Sequence, residues 1–150
     1  MTLIEILIVI ALMVALSAVG LINLLGRRGK TEVDSTARQM VGLLRQAQSY
    51  SMSQSSSTSW GVRFWNSTST APFYAMFAGS EYSAAGEAGR YRLPERVFYV
   101  TSTLASGATK DIVFSQITGA PSASTTIGIT SGGSQISSTI SISFSGLISF

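Results

Sequence analysis

Hydrophobic and polar positions divide this chain into three regimes. From Leu3 to Leu25 nearly every side chain is Leu, Ile, Val, Ala or Met, with Glu5, Ser17 and Asn23 as the polar exceptions. As a helix at ~1.5 Å per residue such a run reaches about 35 Å, enough to cross a hydrocarbon core of about 30 Å. It has no polar stripe, so docking it inside a soluble protein would take a far larger core than this chain offers.

A different period follows. In "TEVDSTARQMVGLLRQAQSYSMSQ", Val33, Ala37, Met40, Leu44 and Ala47 recur at three- and four-residue steps and share one face. That predicts an amphipathic helix over 31–54, with Thr31 or Asp34 to cap its start and a sheet to pack on. The serine-rich "SMSQSSSTSW" should end it as a flexible connection, because serine bonds to nearby backbone in turns.

From Trp60 the helical period is gone. "WGVRFWN" and "FYAMFAG" read as a hairpin around "STSTAP", and "GRYRLPERVFYVTS" as one or two strands broken at Pro94. "DIVFSQITG", "TTIGITSGG" and "STISISFSGLISF" alternate between Gly- and Ser-rich turns, which puts Ile140, Ile142 and Phe144 on one strand face and closes the chain in hairpins. Trp60, Trp65, Tyr74 and Phe98 fit core and sheet-face positions. Several short strands at this spacing predict an antiparallel sheet or a two-sheet sandwich.

Composition narrows the chemistry. The 150 residues suit one compact domain with an N-terminal extension; 45% are apolar and only 11% charged. Much of the net charge of +3 sits in "GRRGK", directly after the apolar run, where a membrane-flanking basic segment belongs. There is no cysteine, so no disulfide or thiolate metal site, and no histidine, the commonest general base near neutral pH. Serines are abundant but lack a base to activate them. The glycine clusters sit outside any strand-to-helix context that cradles phosphate, and no acidic calcium loop exists. The sequence therefore argues against an enzyme and calls for no cofactor or metal.

Glu5 is the outlier. A charged side chain within a bilayer costs ~2.5–3.5 kcal/mol or more on insertion scales and is normally paired or functional. A secretory signal peptide would place basic residues before its apolar core, whereas here the charge before the core is acidic and the basic cluster follows. An ordinary anchor gives no reason for the carboxylate.

"MTLIEILIVIALMVALSAVGLINLL" resembles the mature N-terminus of the type IV pilins and type II secretion pseudopilins. The resemblance implies cleavage of a basic leader by a prepilin peptidase and N-methylation of Met1, with Met1, Thr2 and Glu5 acting in assembly. In that family the carboxylate pairs with the free N-terminal amine of a neighbouring subunit. An amine with an unperturbed pKa of ~7.7–8.0 is protonated near neutrality and matches a buried carboxylate. Family members often melt part of this helix at a proline near the twenty-second residue. This chain has Ile22 there, so Ser17, Gly20 and Asn23 are the expected weak points.

Over the rest of the chain the pattern is similar to H-type minor pseudopilins and FimT-like pilins, through "ARQMVGLLRQAQSYSMSQ" and "IVFSQITGAPSASTTIGI". Those relatives usually end in a Gly-Arg-Val-like sequence; here Gly146, Leu147 and Ile148 stand instead. Some FimT-like pilins bind DNA through basic residues near this end. From Thr101 onward Lys110 is the lone basic residue, beside Asp111, which argues against nucleic acid. Asn66-Ser67-Thr68 matches the N-glycosylation pattern, a weak signal in so Ser/Thr-rich a chain.

Together these readings predict an α+β chain of lollipop form. Residues 1–30 form an apolar helix serving as membrane anchor and filament core, 31–54 an amphipathic helix on the head, and 55–150 a β-rich head. The expected function is a structural subunit polymerising with identical copies into a type IV pilus-like extracellular filament, drawn from an inner-membrane pool by an assembly machinery. A minor pseudopilin of a periplasmic secretion pseudopilus is the alternative, and a membrane-anchored adhesin that never polymerises is the second.

Overall fold

A computed structural model of the chain describes residues 2–132 and 136–150, with the side chains of residues 18–28 outside the description. One helix, α1 (Leu3–Met52), leads into strands β1 (Trp60–Trp65), β2 (Phe73–Ala78), β3 (Glu87–Arg92), β4 (Val97–Tyr99), β5 (Thr109–Phe114), β6 (Thr125–Ser131), β7 (Ser137–Ile142) and β8 (Ile148–Ser149). The expected amphipathic helix thus has no start cap of its own at Thr31 or Asp34, because both lie inside α1. No proline precedes Pro72 to interrupt it.

The strands form two antiparallel four-stranded sheets, ordered β3-β2-β1-β5 and β4-β6-β7-β8. The fold class is therefore α+β with antiparallel sheets. Five predicted helix positions, Val33, Ala37, Met40, Leu44 and Ala47, are all fully buried. They meet Val62, Phe64, Ile112 and Phe114 of the first sheet and Ile127, Ile129, Ile140 and Ile142 of the second in one core. Strand β2 is buried on both faces, since "FYAMFA" has no polar position to turn to water. Its outer side chains Phe73 and Phe77 lie under Arg90, 4.3 Å above the Phe73 ring, and Tyr82, edge-on to Phe77.

Three expectations change. The Ile140, Ile142, Phe144 face ends early: the two isoleucines are buried, but Phe144 is 68% exposed. A turn closed by the Gly146 amide on the Ser143 carbonyl at 2.9 Å ends the strand before it. Phe98 is exposed on β4 rather than in the core. The serine-rich connection is tied down at both ends. The fully buried Ser51 Oγ accepts the Trp60 amide at 2.8 Å, and the Trp60 indole donates to the Ser55 carbonyl at 2.9 Å.

The β5–β6 loop and the β7–β8 turn are both fastened to α1 by one side chain. Gln48 Nε2 donates to the Gly119 and Gly146 carbonyls, each at 3.0 Å. Both glycines have positive φ, +63° and +81°. A Cβ at Gly119 would sit 2.8 Å from Met52, and one at Gly146 only 2.6 Å from the Gln48 amide nitrogen.

Candidate functional site

The first described turns of α1 hold the residues singled out by sequence. Thr2 is the N-cap, in extended backbone conformation, and Glu5 occupies the third helical position. The Glu5 carboxylate accepts from the Thr2 backbone amide at 3.3 Å through Oε2. Thr-x-x-Glu is the residue pattern of a capping box, in which the acidic side chain reaches back to an otherwise orphaned amide. A negative charge in the first turn also complements the helix dipole. The carboxylate thus has a local task that sequence reading overlooked, although the S/T-x-x-E signature stands in the open at Thr2. Oε1 makes no hydrogen bond among the described residues, and Glu5 is exposed.

Every residue from Thr2 to Ser17 is exposed. The large apolar side chains run from Leu3 at 80% to Leu16 at 74%, with Ile6, Leu7, Ile8, Val9 and Ile10 consecutive, so the apolar surface covers the whole circumference. This surface far exceeds the few hundred Å² of contiguous apolar area that a monomer ordinarily shows. Among the described residues no helix is long and apolar enough to cross a membrane. The span expected from Leu3 to Leu25 runs into residues whose side chains are outside the description. Met1 also lies outside the described residues, as do the surroundings of Gly20 and the side chain of Asn23. Ser17 is described: its Oγ donates back to the Met13 carbonyl at 2.8 Å, the kind of bond that loosens and bends a helix.

A second exposed apolar surface lies where Gln48 gathers the two loops. Met52, Ile117, Phe144 and Leu147 are each at least half exposed there. Ile117 adopts a left-handed φ of +69°, a strained conformation for a β-branched residue, with its amide held 3.3 Å from the Ser51 carbonyl.

The remaining sequence candidates find structural partners. Asn66 Nδ2, the atom a glycan would occupy, donates to the Leu104 carbonyl at 3.0 Å, so attachment would require this loop to open. Lys110 donates to the Thr103 carbonyl at 3.2 Å. Its neighbour Asp111 instead pairs across the sheet with Arg63, whose Nε lies 2.6 Å from Oδ1. Among the described residues no group of three or more acidic side chains could hold a metal ion.

One groove was not signalled by any motif. Between α1 and the edge strand β3, Gln39, Gly42, Leu43, Gln46, Tyr74 and Tyr91 line a recess of about 270 Å³. Tyr74 and Tyr91 are directly paired across the strands and stack at 5.5 Å with their planes 19° apart. Burial, and secondarily the neighbouring Tyr91, pushes the Tyr74 hydroxyl up to about 12, so it stays a neutral donor to Gln39 Oε1 at 3.2 Å.

Compared with known proteins, the chain matches no family model, no curated protein and no solved structure.

Proposed function

We propose that this chain is the structural subunit of a type IV pilus-like filament, held together by the N-terminal part of α1. The observation that carries the reading is the exposed, all-round apolar surface from Leu3 to Leu16. An amphipathic helix needs one partner face; a helix apolar on every side needs surroundings that are apolar on every side. Lipid provides them before assembly, and a bundle of identical helices provides them in the fibre. Exchanging one for the other leaves apolar burial nearly unchanged, so packing and polar contacts decide the balance.

Glu5 supplies the polar contact. With Oε2 on its own Thr2 amide, Oε1 is available to the protonated N-terminal amine of Met1 on a neighbouring copy. Desolvation makes either charge costly alone, so the pair favours the one axial register in which they meet. Repeated head-to-tail, this contact generates an open helical polymer. The second apolar surface, around Ile117 and Leu147, supports contact between heads on the outside of the fibre. The subunit would reside in the inner membrane, pass through a prepilin peptidase and an assembly machinery, and end at the cell surface.

The test is Glu5→Gln beside Glu5→Ala, scoring membrane-inserted subunit and sheared fibres. Both variants should insert in the membrane, and both should lose fibres. Wild-type fibre yield from Glu5→Gln would remove the ion pair from the mechanism and overturn the reading.

A further inference from the structure

The groove between α1 and β3 has the chemistry of a site for a neutral saccharide, and we propose that it binds one sugar ring, stacked on Tyr91. The proposal is independent of filament assembly and rests on three features.

The first is an aromatic platform. Tyr91 is 48% exposed and is backed by the buried Tyr74, so its ring is fixed while remaining open to a ligand. The C–H face of a pyranose packs on such a ring as other apolar groups do.

The second is a matched pair of amides. Gln39 accepts the Tyr74 hydroxyl through Oε1, which leaves its Nε2 as donor. Gln46 donates through Nε2 to the Tyr50 hydroxyl at 3.1 Å, which leaves its Oε1 as acceptor. In this arrangement the two amides run in opposite senses. One donor and one acceptor are what sugar hydroxyls require, and no charged side chain lines the groove to hold a phosphate or carboxylate.

The third is Gly42. It sits inside a helix, where glycine costs about 1 kcal/mol relative to alanine, yet a Cβ there would meet nothing within 4 Å. No contact within the chain demands a glycine. The missing side chain keeps the helix wall of the groove open. A recess of about 270 Å³ lies just below the ~300–1,000 Å³ of drug-sized pockets and suits a single ring rather than an extended peptide.

The experiment uses the full chain in dodecylphosphocholine, a detergent without a sugar headgroup. Saturation-transfer NMR is recorded with methyl glucoside, methyl galactoside and N-acetylglucosamine, and with N-acetylneuraminate as the anionic comparison. Transfer to the ring C–H protons of at least one neutral sugar is expected. Affinity should fall about tenfold in Tyr91→Ala, the loss of one aromatic contact, and signal should vanish in Gly42→Leu. Gly42→Leu puts a better helix former where a Cβ meets nothing within 4 Å and should melt no lower than wild type, so it remains decisive if Tyr91→Ala unfolds. Absence of transfer to all three neutral sugars would overturn the proposal. So would equal binding of N-acetylneuraminate, or transfer that both variants leave intact, as binding on the Ser- and Thr-lined face around Thr125 and Ser141 would give. Fibre yield is a separate measurement, so failure here leaves the assembly reading standing.

Discussion

The Tyr99 hydroxyl donates a 3.0 Å hydrogen bond to the Phe73 carbonyl, and the bond joins the two sheets. Tyr99 is 3% exposed and its ring meets Phe64 edge-on at 6.4 Å, so the phenol enters the core with its polar end satisfied. Tyr99→Phe keeps the ring packing and removes this one hydrogen bond between the sheets, while Phe73 stays paired with Trp65 in the ladder. A loss of about 0.5–1.5 kcal/mol in urea unfolding is expected, the net contribution of one hydrogen bond.

The same burial gives an alkaline limit. Desolvation pushes the Tyr74 hydroxyl up to about 12 and the Tyr99 hydroxyl higher still. Both phenols therefore hold protons in the folded state that they would lose from about pH 10 when unfolded. Their contribution to stability is full below that pH and is lost as pH rises above it. Urea unfolding between pH 8 and 11 should show the decline, with a shallower slope in Tyr99→Phe.

On the acidic side, Glu87 is the group to watch. Hydrogen bonds from Arg90, with help from the Tyr82 hydroxyl at 2.7 Å, hold its carboxyl below the ordinary 4.5. This lowered value stabilises the fold above pH 4.5 and is lost as pH falls further. Arg90 is 45% exposed, so the pair meets solvent through the guanidinium and the effect should be small and sensitive to salt. Glu87→Gln should lose that small contribution at neutral pH and flatten the stability curve below pH 4.5.

Gln48 should be the costliest single polar residue of α1. Gln48→Ala releases the Gly119 and Gly146 carbonyls together, at about 1–3 kcal/mol. Gly146→Ala acts on the same joint from the other side, forcing an L-residue into a left-handed backbone at about 1–2 kcal/mol and pushing a methyl into the Gln48 amide. Because the two sites touch, the double variant should lose less than the two single losses added, a coupling that a double-mutant cycle measures directly.

What the sequence made legible follows from range. Helix periodicity located Val33, Ala37, Met40, Leu44 and Ala47, while aromatic and β-branched runs located the first strands and alternation the C-terminal ones, because these are local patterns enforced by one shared core. The Gln48 joint was invisible, since it unites residues about 70 and 100 positions away that carry no motif. Phe144 was misplaced because a turn two residues long overrides an apolar alternation that continues past it. The groove escaped notice for a similar reason: Tyr91 reads as a sheet residue until β3 is known to be an edge strand beneath α1. At the N-terminus the legible part was the oddity of Glu5, while its cap on Thr2 was overlooked.

Glu5 caps Thr2 and has a proposed second task, the pairing between subunits, and a carboxamide distinguishes the two. Glutamine fills the third helical position of a capping box as glutamate does, but it carries no charge to meet an amine. In detergent-solubilised subunit, hydrogen exchange of the Thr2 amide should therefore stay slow in Glu5→Gln and accelerate in Glu5→Ala, where the acceptor is gone. If the carboxylate mattered to the filament only by shaping the helix start, fibre yield across the three proteins would follow that exchange rate. The ion pair demands the opposite: Glu5→Gln must combine wild-type protection of Thr2 with the fibre loss of Glu5→Ala. A lysine at position 5 extends the contrast, since it loses the cap and also places like charges together at the proposed contact. Fibre yield for Glu5→Lys should fall below that of Glu5→Ala, and acetylating its N-terminal amine should relieve that extra loss, bringing the yield back to the Glu5→Ala level, if the two charges meet between subunits.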